Sequence, residues 1–137
     1  KMQSQFTSGA CSIAQRAALA AVDADPEKVE YMLAKFKERR DVMLRLLNAI
    51  PGIRVNTPPG AFYAFVEVSG ALGKTFIGQE INSSMDLSMY ILNHAYVSSV
   101  PGEAFGLPGY IRFSYAASLP NLEEACRRIA EALKNLK

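Results

Sequence analysis

Apolar positions recur along the chain with two periods, and the switches between them mark its elements. From Val29 the apolar residues Val29, Leu33, Phe36, Met43, Leu47 and Ile50 follow at helical spacing, interrupted by Arg40. That pattern predicts a long amphipathic helix, ended by Pro51 and Gly52 and carrying Lys35, Lys37, Glu38, Arg39 and Asp41 on a solvated side. Before it, "IAQRAALAAV" is rich in good helix formers behind Ser12 as a candidate cap, and "DADPEK" separates the two helices. Pro26 suits the first turn of the second helix, where its missing N–H costs nothing. Residues 1–11 are small and polar and read as a loop.

Beyond Gly52 the period shortens. "IRVN" reads as a short strand, "TPPG" as a turn, and "AFYAFVEV" (61–68) as a strong strand with an aromatic-rich core segment "FYAF". Residues 69–83 show no period and read as the longest loop. "SMDLSMYILNHAY" predicts a third helix with Ser84 as candidate cap, "VSSV" a brief strand, and "PGEAFGLPG" a turn-rich loop. "YIRFSYA" is the last strand. Ser118 then opens a final helix with Pro120 in its first turn and an apolar stripe of Leu122, Cys126, Ile129, Leu133 and Leu136. No internal repeat is present. The order helix, helix, strand, strand, helix, strand, strand, helix predicts an α/β sandwich in which helices cover a small sheet. A leading segment of long helices (1–50) would precede a small α/β domain (51–137).

Composition narrows the partners. In 137 residues, 15 basic and 13 acidic side chains give a net charge of +2 with no basic block, so neither nucleic acid nor an anionic membrane is indicated. No apolar run reaches the roughly 20 residues of a membrane span. Cys11 and Cys126 lie far apart and outside any CxxC spacing, which points to reduced thiols and an intracellular protein. The first residue is Lys1, and the chain is expected to be a piece of a longer one.

Most candidate chemistry has a plain structural reading. "VEVSGALGKT" places Gly73, Lys74 and Thr75 after a strand, yet a phosphate loop needs a glycine where Val68 stands. His94, the single histidine, falls near a helix C-terminus and lacks partners for a triad or a metal. Glu123 and Glu124 suit the first turn of a helix, and Cys126 belongs to an apolar stripe. Arg112 is different. It interrupts a strand whose bulk, Ile111, Phe113 and Tyr115, points to the opposite face. A guanidinium cannot be neutralised, so its burial requires an anion. Two readings stand open: an ion pair with a glutamate such as Glu67 or Glu103, or a bidentate grip on a ligand carboxylate.

Taken together, "FKERRDVMLRLLNAIPGIRVNTPPGAFYAFVEVS" and "VSSVPGEAFGLPGYIRFSYAASLPNLEEACRRIAEAL" resemble the C-terminal part of class I pyridoxal-phosphate-dependent aminotransferases, most of all bacterial aspartate aminotransferases. The likeness is weakest over residues 70–83. It implies the small C-terminal domain of a fold-type I transferase, joined to a large domain by a long interdomain helix. It also implies a cytoplasmic homodimer using pyridoxal 5′-phosphate to pass an amino group from an amino acid to a 2-oxo acid. By the match to "YIRFSYA", Arg112 resembles the arginine that grips the substrate α-carboxylate; by the match to "GAFY", Phe62 resembles the aromatic lining the active-site mouth. The family's Schiff-base lysine, its ring-nitrogen aspartate and its phosphate-binding groups have no counterpart here. The resemblance therefore assigns no catalytic, cofactor-binding or metal-binding residue, and implies that the chain alone is inactive. The alternative is a free-standing α/β module that binds a small carboxylate through Arg112.

Overall fold

The structure, a computed structural model, describes Phe6 and residues 9–137. Of the loop expected over residues 1–11, positions 1–5, 7 and 8 lie outside the described residues. Two compact units are present, one ending at Leu33 and the other comprising Ala34–Lys137. Helix α1 spans Ser12–Val22 and has no buried residue; Cys11, rather than Ser12, takes the capping position, without a side-chain bond. Pro26 opens a 3₁₀ turn over Pro26–Val29, where the Asp25 carboxylate accepts the Glu27 N–H at 3.0 Å. Helix α2 follows as Glu30–Asn48.

Only the last part of the α2 stripe is shut off from solvent: Met43, Leu44 and Leu47 are buried, whereas Val29 and Leu33 are exposed. Gly52 then turns the chain with φ +83°, a conformation that favours glycine. Its backbone lies against that of Gly70, so closely that a Cβ on Gly70 would sit 2.6 Å from the Gly52 Cα.

The strands are β1 (Arg54–Val55), β2 (Tyr63–Glu67), β3 (Lys74–Phe76), β4 (Gln79–Ile81), β5 (Val100–Pro101) and β6 (Tyr110–Ser114). Four of them form one antiparallel sheet in the order β1-β2-β6-β5. Its register sets Ala64 opposite Phe113, Phe65 opposite Arg112 and Val66 opposite Ile111. Helices α3 (Ser84–Ala95) and α4 (Leu119–Lys134) complete the chain. Ala64, Val66, Ile111 and Phe113 join Leu47, Leu87, Ile91 and Ile129 in the core. The Tyr90 hydroxyl, donating to the Ala132 carbonyl at 2.8 Å, ties α3 to α4.

The expected α/β arrangement of a small sheet with covering helices is what forms, with further local corrections. Residues 69–83 are not a loop: β3 and β4 pair as a hairpin with a turn at Ile77 (φ 48°) and Gly78 (φ 80°). The α3 cap is Ser83, not Ser84. Ser83 is extended and its Oγ accepts the Asp86 N–H at 3.1 Å, while Ser84 is buried as the first helical residue. Glu123 and Glu124 lie beyond the first turn of α4, and Glu124 pairs with Arg127 and Arg128 at 2.7 Å. Those two arginines hold its carboxyl down to about 2.

Candidate functional site

Alternation along β2 and β6 divides their side chains between two faces. With Ala64, Val66, Ile111 and Phe113 in the core, Tyr63, Phe65, Glu67, Tyr110 and Arg112 are left half-buried on the other face. The aromatics Tyr63 and Phe65 are thus not core residues, as the run "FYAF" had suggested. Phe65 stacks on Tyr110 with centroids 5.2 Å apart and 12° between planes, and meets Phe105 edge-on at 5.9 Å.

Arg112 stands among these rings. Its guanidinium carbon lies 4.2 Å from the Tyr63 ring centroid and 4.4 Å from that of Phe105, both within cation–π range. The glutamates offered by the ion-pair reading do not pair with Arg112. Glu67 accepts the Ser69 hydroxyl at 2.8 Å, and Glu103 accepts the Ser84 N–H at 3.0 Å. Among the described residues the ion pairs are Lys35–Glu38, Arg40–Asp41, Arg127 with Glu124 and Glu131, and Arg128–Glu124. Arg112 enters none of them. Its cation rests over two aromatic faces, and among the described residues its N–H groups donate no hydrogen bond.

Phe62 occupies the turn before β2. That turn passes through Ala61 at φ 59°, an uncommon conformation for a residue with a Cβ. Tyr115 holds it from below: its hydroxyl donates to the Ala61 carbonyl at 2.8 Å and its N–H to the Phe62 carbonyl at 2.9 Å. The Phe62 ring, 40% exposed, lies 4.4 Å from the Tyr63 ring and 6.2 Å from that of Phe36. Phe62 and Arg112 are therefore brought to one aromatic cluster, connected through Tyr63. Sequence reasoning singled out those two and missed Tyr63 and Phe105. The available signal was an aromatic in a Pro/Gly-rich loop immediately before the arginine strand.

The other candidates have structural roles. Gly73 leads into strand β3, which contains Lys74 and Thr75, rather than into a helix, so no helix N-terminus backs that glycine. His94, exposed in the last turn of α3, packs on the Phe76 and Tyr90 rings at 4.6 and 4.8 Å. Cys126 is buried, and burial pushes its thiol up to about 11; Cys11 is exposed. A groove of about 330 Å³ lined by Ile50, Lys74, Leu133 and Leu136 takes no residue from β2 or β6. Among the described residues no helix is long and apolar enough to cross a membrane, and no group of acidic, histidine and cysteine side chains could hold a metal.

A small antiparallel sheet with one helix-covered face and one face bearing Arg112 defines a small α/β domain, and its relatives specify which. The family described as aminotransferase class I and II matches residues 1–129. The chain belongs to that family. A bifunctional aspartate aminotransferase and glutamate/aspartate-prephenate aminotransferase of Petunia hybrida is 46% identical over 141 residues, covering 100% of this chain and 29% of the relative. An aspartate/prephenate aminotransferase of Nitrosomonas europaea is 44% identical over 134 residues, covering 96% of this chain and 34% of the relative. The crystal structure of the aspartate aminotransferase from Rhizobium meliloti superposes with a TM-score of 0.92 at 41% identity, over 99% of this chain and 34% of that one. The fold thus matches a fold-type I aminotransferase domain. The chain spans about a third of the length of the relatives it matches.

Family membership implies pyridoxal phosphate in the full-length enzymes. The residues at Arg112 do not make a site for it. The cofactor needs a lysine amine, an acid at the ring nitrogen and phosphate donors. Among the described residues, the lysines lie outside β2, β6 and the Gly102–Phe105 turn that surround Arg112. Glu67 and Glu103 each accept one hydrogen bond through a single oxygen, from Ser69 and Ser84, and the second oxygen of Glu103 is buried without a partner.

Proposed function

We propose that this chain is the substrate-gripping part of an aminotransferase acting on aspartate, with Arg112 as the ligand of the substrate α-carboxylate and Phe62 as a wall of the site mouth. The observation that carries this is the Arg112 guanidinium, set on two aromatic rings and without an acidic partner among the described residues. A planar fork so placed accepts a carboxylate through two parallel N–H···O bonds and fixes how the substituents at the substrate Cα are turned. Residues 51–137 would form the small domain, and 1–50 the segment leading to it from a large domain. When bound elsewhere in the enzyme, pyridoxal phosphate supplies the electron sink for amino transfer. The work of this chain is to bind, orient and, by closing over the substrate, to exclude water. Aspartate is the amino acid for which the relatives are named, several of them as aspartate/prephenate aminotransferases. A homodimer in the cytoplasm, with an amino acid and a 2-oxo acid as substrates, completes the reading.

In the intact enzyme, Arg112→Ala should lower kcat/KM for the amino acid by about a hundredfold or more while the bound cofactor keeps its absorbance. Unchanged kinetics would remove the carboxylate role. The 137-residue chain, supplied with pyridoxal phosphate, aspartate and 2-oxoglutarate, should form no oxo-acid product. The unit Ala34–Lys137 encloses its own core, which favours one rival: a free-standing module binding a small carboxylate. Calorimetric binding of an amino acid to this chain without cofactor, abolished by Arg112→Ala, would establish the rival.

A further inference from the structure

We propose that Tyr63 and Phe105 are positioning residues for Arg112, a role that rests on the carboxylate reading above. The two rings come from different elements, Tyr63 from β2 and Phe105 from the 3₁₀ turn Gly102–Phe105. Both lie within 4.4 Å of the guanidinium carbon. An arginine side chain is long and rotamer-rich, so capturing a carboxylate from a free arginine means ordering it at the moment of binding. Rings against the plane order it beforehand. They do so without using the N–H groups, which an ion pair with a glutamate would have consumed.

The backbone holding Phe105 is pinned on both sides. A Cβ at Gly102 would collide with the carbonyl oxygens of Leu107 and Tyr110, so the turn sits flush on the start of β6. The Leu107 N–H donates to the Gly102 carbonyl at 3.0 Å. The Glu103 carboxylate accepts the Ser84 N–H at 3.0 Å, and the Ser84 hydroxyl accepts the Gly109 N–H at 2.8 Å. Thus the first residue of α3 is bonded both to the turn and to the residue just before β6. Phe105 is itself 47% exposed. Its place is fixed by the turn rather than by burial, as a device for aiming another side chain requires. Tyr63 is steadied by β-pairing to Ser114 and by contact with Phe62.

The test uses the intact enzyme bearing this segment. Phe105→Leu and Tyr63→Leu remove a ring while keeping apolar bulk, and each should raise the KM for the amino acid about fivefold, the scale of one cation–π contact. Tyr63→Phe, which keeps the ring, should retain the parent value. Competitive binding of the corresponding α-carboxamide, which lacks the anion, should not change in either leucine variant. Placed on Arg112→Ala, Phe105→Leu should weaken amino-acid binding no further. Equal loss for the carboxamide, or an additive loss on Arg112→Ala, overturns the proposal and leaves the rings a merely structural part. If Arg112→Ala weakens the amino acid but neither leucine variant does, positioning is wrong and the carboxylate reading survives. If Arg112→Ala itself is silent, both fall. Should Phe105→Leu reduce the yield of folded enzyme, Tyr63→Leu supplies the same readings from the other element.

Discussion

On one face of the four-stranded sheet Ala64, Val66, Ile111 and Phe113 are closed off from water; on the other, Tyr63, Phe65, Tyr110 and Arg112 are half-buried. The strands are the same, and the alternation of β-structure alone assigns each residue its side. What differs is the chemistry each side tolerates. The helix-covered face excludes a charge, because nothing there could solvate one. The aromatic face accepts a guanidinium, since flat π-surfaces attract it while its edge stays accessible. The binding role proposed for Arg112 thus falls on the face that is less closed off from water.

The sharpest way to break this contrast is to truncate one residue from each face. Ile111→Ala should cost about 3 kcal/mol in denaturant unfolding, through lost transfer energy and a residual cavity. Phe65→Ala, half-buried on the opposite face, should cost about 1 kcal/mol. If the two losses are equal, the aromatic side is a second core and the division of labour collapses.

A smaller effect comes from pH. Burial raises the Cys126 thiol to about 11 in the folded chain from an ordinary value of 9.0. A raised folded value means a contribution fully present below pH 9 and lost as pH climbs through 11, where the unfolded chain has released a proton that the folded chain still holds. Two units correspond to about 2 to 3 kcal/mol. Burial also raises Tyr90 and Tyr115, which act in the same direction at still higher pH. Thermal midpoints at pH 8, 10 and 11 should fall in that order, and Cys126→Ala should flatten the part of the fall between pH 9 and 11. A profile flat in the parent chain would place the thiol outside the core.

The smallest effect lies off both faces. Ile77 is 90% exposed and holds φ 48°, a conformation costly for a β-branched side chain. Ile77→Asn should stabilise the chain by about 1 kcal/mol, because asparagine suits this kind of hairpin turn and little packing is lost. Destabilisation would show that the isoleucine contributes contacts of its own.

That same isoleucine explains why the hairpin escaped the sequence. A two-residue hairpin turn is announced by Asn-Gly or Asp-Gly, and Ile77-Gly78 gives only half of the signal. The long elements were legible because their periods are. The α4 stripe of Leu122, Cys126, Ile129 and Leu133 is buried as its spacing predicts. Arg112 was legible as a contradiction, a permanent charge within an apolar strand. Its ring partners were not. Tyr63 and Arg112 are brought together by strand register, and Phe105 by the fold of a turn, neither of which local spacing encodes.

The touching backbones of Gly52 and Gly70 carry a consequence for anyone who randomises this chain. When two large side chains meet, shrinking one can compensate for enlarging the other. Here both partners are already the smallest residue, and a Cβ on Gly70 would fall 2.6 Å from the Gly52 Cα. No second-site change within the pair can relieve a first. In a deep mutational library the two positions should therefore share one profile of intolerance without ever rescuing each other, a signature of contact that statistical covariation would pass over.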